Sequence, residues 1–243
     1  MKGEKTMLKE AIEKIVSLAE NKTYEINGQT YSERNLLRIP PHVDSPSKIS
    51  VHGLDSIIKL IRTEIDRLNT TLFIEVAGPR GVNVFTTYGP DFSRDFLYSS
   101  ACDVPEFHEG WRDQQQALIE LRSKFIENEG SLYLLSLLSR ITSENKVSSE
   151  DNGVTQTVEA RQGISLAQMV TVKPRVALRP YRTFLEVVQP ESEFLLRLDE
   201  KGSIGLFEAD GGMWKMEAKD CIALYFQEQL SNLIDAGRVV VMM

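Results

Sequence analysis

The stretch "GLFEADGGMWKMEAKD" (205–220) decides how the second half of the chain is read. It sets Glu208, Asp210, Glu217 and Asp220 close together, with Lys219 two positions after Glu217. Asp-Gly-Gly is strong turn chemistry, because glycine reaches positive φ without steric cost and an Asp side chain bonds the turn backbone. Apolar residues lead in (Ile204, Leu206, Phe207) and out (Met213, Trp214). The expected structure is a hairpin over 205–217 joined at Asp210–Gly212, with Gly211 or Gly212 at positive φ. The competing reading is a metal-dependent nuclease. An Asp on one strand and the Glu-x-Lys of "EAK" (217–219) on the next would hold Mg²⁺ and steady an attacking water. The turn already accounts for Asp210, and acids near a helix start favour its dipole. The turn-and-cap reading is therefore preferred, with no catalytic residue, no metal site and no cofactor.

Outward from this stretch the pattern is strand after strand. "VTQTVEAR", "AQMVTVKPRVAL", "YRTFLEVV", "EFLLRLD", "SIGLFEA" and "MWKMEA" follow one another, several parted by turn signals such as "QPES" and "DEKG". Short turns between successive strands imply an antiparallel meander. "KDCIALYFQEQLSNLIDAG" then has the apolar spacing of a helix that closes it, with Gly237 as its stop. In the first half, "GLDSIIKLIRTEIDRLN" carries a stripe of Ile57, Ile58, Ile61, Ile65 and Leu68, with Asp55 or Ser56 as cap. "TLFIEVAG" and "GVNVFTTYG" read as a hairpin around "GPRG". "DQQQALIELRSKFI" and "SLYLLSLLSRI" read as helices split at Gly130. The fold class is α+β. The divisions are an N-terminal helix and Pro-rich appendage (1–48), an α/β half (49–141), a polar Ser-rich linker (142–153) and a sheet with a C-terminal helix and apolar tail (154–243).

Composition bounds the function. The chain has 243 residues and a net charge of −7, which argues against a general nucleic-acid coat protein. Two cysteines, Cys102 and Cys221, make neither a disulfide framework nor a cysteine zinc site and fit a reducing cytoplasm. The charged N-terminus lacks a signal-peptide core and no run is long enough to span a membrane. His42, His52 and His108 form no ligand pair, "GPRG" lacks the end of a phosphate loop, and Ser99 and Ser100 sit in no nucleophile elbow.

Two segments remain as binding candidates. In "VKPRVALRPYRTF" (172–184), Lys173, Arg175 and Arg179 share one strand parity, and Arg182 follows, with Tyr181 and Phe184 between them. That composition suits phosphate contact and base stacking. Cross-strand pairing with Glu186, Glu191 and Glu193 is the structural alternative, and the acidic balance favours it. The tail carries Val239, Val240, Val241 and Met242 after a helix stop. This β-branched run either pairs with its own sheet or adds to a neighbour's, as the interface of a homo-oligomer.

Three stretches, "DNGVTQTVEARQG", "VALRPYRTFLEVVQPESEFLLRL" and "LFEADGGMWKMEA", together resemble the YfdQ-like family of prophage-encoded proteins, a domain of unknown function. The resemblance runs from about residue 50 to 235 and is weaker before 140. It carries over no catalytic residues, and the Lys of "EAK" lies outside the family pattern. It implies a bacteriophage or prophage protein acting in the cytoplasm of the bacterial host. The resulting expectation is a non-enzymatic binding protein whose partners are itself and a host or phage protein, inhibition of a host defence system being one case. The alternatives are a nucleic-acid-binding accessory of phage DNA replication or recombination, using the basic strip, and the metal-dependent nuclease.

Overall fold

The computed structural model describes residues 11–16, 22–32, 38–39, 47–89, 92–140, 148–151, 156–160, 168–199 and 202–243. The chain divides into two compact units, Met1–Ser47 with Tyr88–Ser93, and Lys48–Thr87 with Arg94–Met243. In the first, residues 11–16 form helix α1. Strands β1 (Thr23–Ile26), β2 (Gln29–Ser32) and β3 (Arg38–Ile39) form a three-stranded antiparallel sheet. Its first turn is Asn27-Gly28, at φ 53° and 72°, the left-handed pair that a two-residue hairpin requires.

The second unit opens with β4 (Ile49–His52), α2 (Leu54–Leu68), β5 (Leu72–Gly78), β6 (Gly81–Thr86), β7 (Phe96–Ala101) and β8 (Gly110–Arg112). Then come α3 (Gln114–Ser123), β9 (Phe125–Ile126), α4 (Glu129–Arg140), β10 (Ser148–Asp151), β11 (Gln156–Ala160) and β12 (Gln168–Val172). It ends with β13 (Arg175–Pro180), β14 (Ser192–Leu198), β15 (Ile204–Glu208), α5 (Trp214–Gln229), α6 (Ser231–Asp235) and β16 (Val239–Met242). The fold is α+β, with helix α5 following the strands of the second half.

Two five-stranded sheets organise this unit. The first has the order β16-β5-β6-β7-β4, with parallel pairing at both edges and antiparallel pairing between. Alternation along β5 and β6 sends Leu72, Ile74, Val76, Val82 and Val84 into a core with the Ile stripe of α2 and with Ile222, Ala223 and Phe226 of α5. The second is antiparallel, in the order β8-β15-β14-β13-β9. Its inward residues Val176, Leu178, Phe194, Leu196, Leu198, Ile204 and Leu206 pack on Ala117 and Leu121 of α3 and Leu134, Leu137 and Leu138 of α4. Strands β10, β11 and β12 form a separate antiparallel sheet.

Several expectations are corrected. No hairpin spans 205–217. β15 ends at Glu208, Asp210–Met213 form the turn, and the "WKMEA" of "MWKMEA" is the start of α5. Trp214, Ala218, Ile222 and Phe226 recur every four residues and are all buried, so tertiary packing of a helical stripe overrides the strand-like alternation. Gly211 and Gly212 do have φ of 65° and 82°. "YRTFLEVV" is a loop after β13, and "AQMVTVKPRVAL" is two strands broken at Lys173–Pro174. Gly130 lies within α4 instead of splitting two helices. A Cβ there would come within 2.0 Å of the Ala177 carbonyl oxygen, so glycine lets α4 lie on β13. The halves 49–141 and 154–243 are not separate, since β8 and β9 pair with β15 and β13, and β16 returns to β5. Of the linker 142–153, residues 148–151 form β10, and the rest lies outside the described residues.

Candidate functional site

The loop from Tyr181 to Glu191 is held from within and from both sheets. The Gln189 side chain accepts from Arg182 N at 3.0 Å and Thr183 N at 3.1 Å, and donates to Phe184 O at 2.8 Å. One buried amide thus satisfies backbone groups that strand pairing leaves open. From the β5–β6 turn, Arg80 donates to the carbonyls of Arg182, Cys102 and Val104, and Pro79 O accepts from Thr183 Oγ1. Phe184 enters the first sheet's core. Glu186 Oε1 accepts from Leu54 N at 2.7 Å. It therefore caps α2 from a distance, behind Gly53 at φ 81°, and neither Asp55 nor Ser56 is the cap. Asp55 instead accepts from Tyr225 Oη at 2.6 Å, a bond that with burial pushes the phenol up to about 12.

A cleft of about 590 Å³ opens beside this loop, with Cys102, Val104, Pro105, Phe107, Tyr181 and Leu185 among its walls. That volume and its apolar lining are those of a ligand or side-chain pocket. Of its charged residues, Lys124 Nζ donates to Glu120 at 2.9 Å and Glu186 caps α2, while the exposed Asp103 meets His52 at 2.8 Å. Burial pushes the Cys102 thiol up, the opposite of what a nucleophilic thiolate needs. The loop's tip turns apolar side chains to solvent, with Leu185 68% and Val188 67% exposed.

Arg182, expected in a basic strip, is 2% exposed. Its Nη1 donates to Glu208 Oε1 at 2.7 Å, its Nη2 to Ser192 Oγ, and its guanidinium lies 4.1 Å from the Trp214 ring centroid. Ser192 Oγ donates in turn to Asp210, whose other oxygen accepts from Gly212 N at 2.9 Å. Burial raises the Asp210 carboxyl, but these bonds outweigh it and hold it below its ordinary value. Arg182 and Asp210 therefore lock the loop to the start of α5.

The other strip residues separate. Arg175 and Arg179 lie on one face of β13, paired with Glu193 at 3.0 Å and Glu191 at 3.1 Å. Lys173 precedes the strand and sits over the Tyr133 ring. Among the described residues, no three His, Cys, Asp or Glu converge as metal ligands would. Val239, Val240, Val241 and Met242 pair in parallel with Leu72–Glu75 of the chain's own β5 and form the outermost strand of the first sheet. Among the described residues, no helix is long and apolar enough to cross a membrane.

The cleft residues Cys102, Phe107, Lys124 and Leu185 were not legible as a site, because they come from four separate segments. The signal nearest to one was the apolar "FLEVV" read as strand. The chain matches no family model, no curated protein and no solved structure in comparison.

Proposed function

We propose that the protein acts by binding a partner protein, whose apolar side chains enter the cleft between the two sheets. The observation that carries this reading is the contrast between wall and rim. Glu186 is spent on the N-terminus of α2 and Lys124 on Glu120, so only the exposed Asp103 is left to orient a polar metabolite, while Leu185 and Val188 face solvent beside an apolar cavity. Apolar anchors filling a desolvated pocket, ringed by polar groups, are how protein interfaces concentrate affinity. The protein is non-enzymatic on this reading. The sequence resemblance to YfdQ-like proteins supports a phage or prophage origin and the cytoplasm of a bacterial host, with a host defence factor as the partner of first choice. A second copy of the chain, joined at the open edge of β16, belongs to the same proposal, because that edge carries no Lys, Pro or bulge to block pairing.

Affinity capture from phage-infected cells tests the main reading. Wild type is expected to retain a protein that the Leu185→Asp/Val188→Asp double variant loses, with the variant folded as well as wild type. Retention of the same protein by both would refute the cleft as the site.

A further inference from the structure

We propose that the outer face of the second sheet is a stacking platform for single-stranded nucleic acid, centred on Trp111, Phe207 and Arg197. Residue parity and register put these side chains together. Trp111, Gly205 and Arg197 are successive cross-strand partners on β8, β15 and β14, and Phe207, Leu195 and Arg175 form the next row on β15, β14 and β13. Their strand neighbours Leu206, Leu196 and Val176 all point into the core, so both rows face outward.

Gly205 shapes the platform. A Cβ there would lie 2.8 Å from the Phe207 ring and 3.2 Å from that of Trp111. Its absence lets the two rings close over the strand at a centroid distance of 6.0 Å, edge to face. Trp111 stays 52% exposed. The first sheet shows the alternative outcome. There Phe73 and Phe85 stack outward at 5.8 Å, and the Arg94 guanidinium lies 5.1 Å and 5.2 Å from their centroids. Among the described residues no Lys or Arg sits over the Trp111 ring in that way, so it is open to a base.

Charge and area choose the occupant. Arg197 bonds the Leu196 carbonyl at 3.3 Å and meets no carboxylate among the described residues. The Arg175–Glu193 and Arg179–Glu191 pairs are solvent-exposed, and such pairs yield readily to a competing phosphate. The strands β8, β15, β14, β13 and β9 have 3, 5, 7, 6 and 2 residues, and at about 4.8 Å spacing and about 3.4 Å rise they give a face of roughly 400 Å². That is about half of what each partner contributes to a standard protein interface, but it suffices for two or three stacked bases. With a chain charge of −7, the phosphate contribution is small and stacking carries the affinity. A duplex hides its base faces and is excluded.

Fluorescence anisotropy of a labelled oligothymidylate of about twelve nucleotides, titrated with the full chain at low ionic strength, tests this. Saturable binding is expected, with a log–log salt slope between about −0.7 and −2, as for one to three phosphates. Trp111→Ala should weaken it on the order of tenfold or more, the scale of one lost base stack, and Trp111→Phe should keep most of it. Arg197→Glu should weaken binding and flatten the slope. Leu185→Asp should leave it unchanged, which separates this face from the cleft. Absence of binding, equal affinity for duplex, indifference to both Trp111→Ala and Arg197→Glu, or loss with Leu185→Asp would each overturn the proposal.

Discussion

The two five-stranded sheets bury one face each, yet they are built differently. The first is sewn together from both ends of its unit. Its central hairpin is local, but its edges are β4, paired with β7, and β16, paired in parallel with β5 more than 160 residues away in sequence. The second takes β13, β14 and β15 in succession and adds short strands from before residue 141. Polar fasteners differ as well. Around the first sheet, Tyr98 donates to Glu64 and Tyr225 to Asp55, and both phenols are raised. Around the second, carboxylates take the strain. Glu120 is held below its ordinary value by Lys124 and Arg112 against the opposing effect of burial, and Asp210 by Ser192 and its own turn. The lesson is that stability in the two regions should respond to different insults, although one loop, 181–191, touches both.

The largest effect is expected at that loop. Arg182→Ala removes the partner of Glu208 and the cation over Trp214. Losing one member of a buried pair costs about 3–5 kcal/mol, so chemical denaturation should show a loss of that order, with both sheets losing hydrogen-exchange protection. If the first sheet keeps its protection, the loop does not couple the two regions. Gly130→Ala comes next. Its Cβ would overlap the Ala177 carbonyl, and relief by backbone movement should cost about 2–3 kcal/mol. Exchange should quicken in α4 and β13 before it does in β5 and β6. Gly211→Val is milder. Space is open around it, and only the φ of 65° resists a β-branched side chain, for about 1–2 kcal/mol.

The smallest expected effects are pH-dependent, and they sharpen the contrast. Asp210 and Glu120 have folded values below their ordinary ones. Their contribution is present above the ordinary carboxylate range and is lost as pH falls through the depressed values. Tyr98 and Tyr225 have folded values above the ordinary one. Their contribution is present below the ordinary tyrosine value and is lost as pH rises, through about 12 for Tyr225. Acid should therefore loosen the second sheet first and alkali the first, read by hydrogen exchange of each. The reverse order would break the comparison.

Local pattern carried the reading as far as contacts are local. The Ile stripe of α2, the β5–β6 hairpin, strands β14 and β15 and the Asp-Gly-Gly turn all follow from residues within a few positions of one another. What failed depends on partners remote in sequence. β4 and β7 have no strong alternation, and their pairing joins residues about fifty apart. The Glu186 cap on α2 lies 132 positions away. "FLEVV" has strand composition, but the Gln189 amide holds it as a loop. The start of α5 was legible in principle, since Trp214, Ala218, Ile222 and Phe226 repeat at helical spacing. The Gly-Gly turn drew attention to the flanking apolar pairs instead. The basic strip shows the same limit. Parity rightly put Arg175 and Arg179 on one face, but nothing near Arg182 announces that Glu208 and Trp214 will enclose it.

The most direct test of the account is alkylation of Cys102 in the complex captured from cells. Cys102 lines the cleft, and Cys221, on α5 and outside its lining, serves as the internal control. An occupied cleft predicts that modification of Cys102 slows on the order of tenfold or more in the complex while Cys221 reacts as in the free protein. Equal reactivity of Cys102 in the free and captured protein would contradict it.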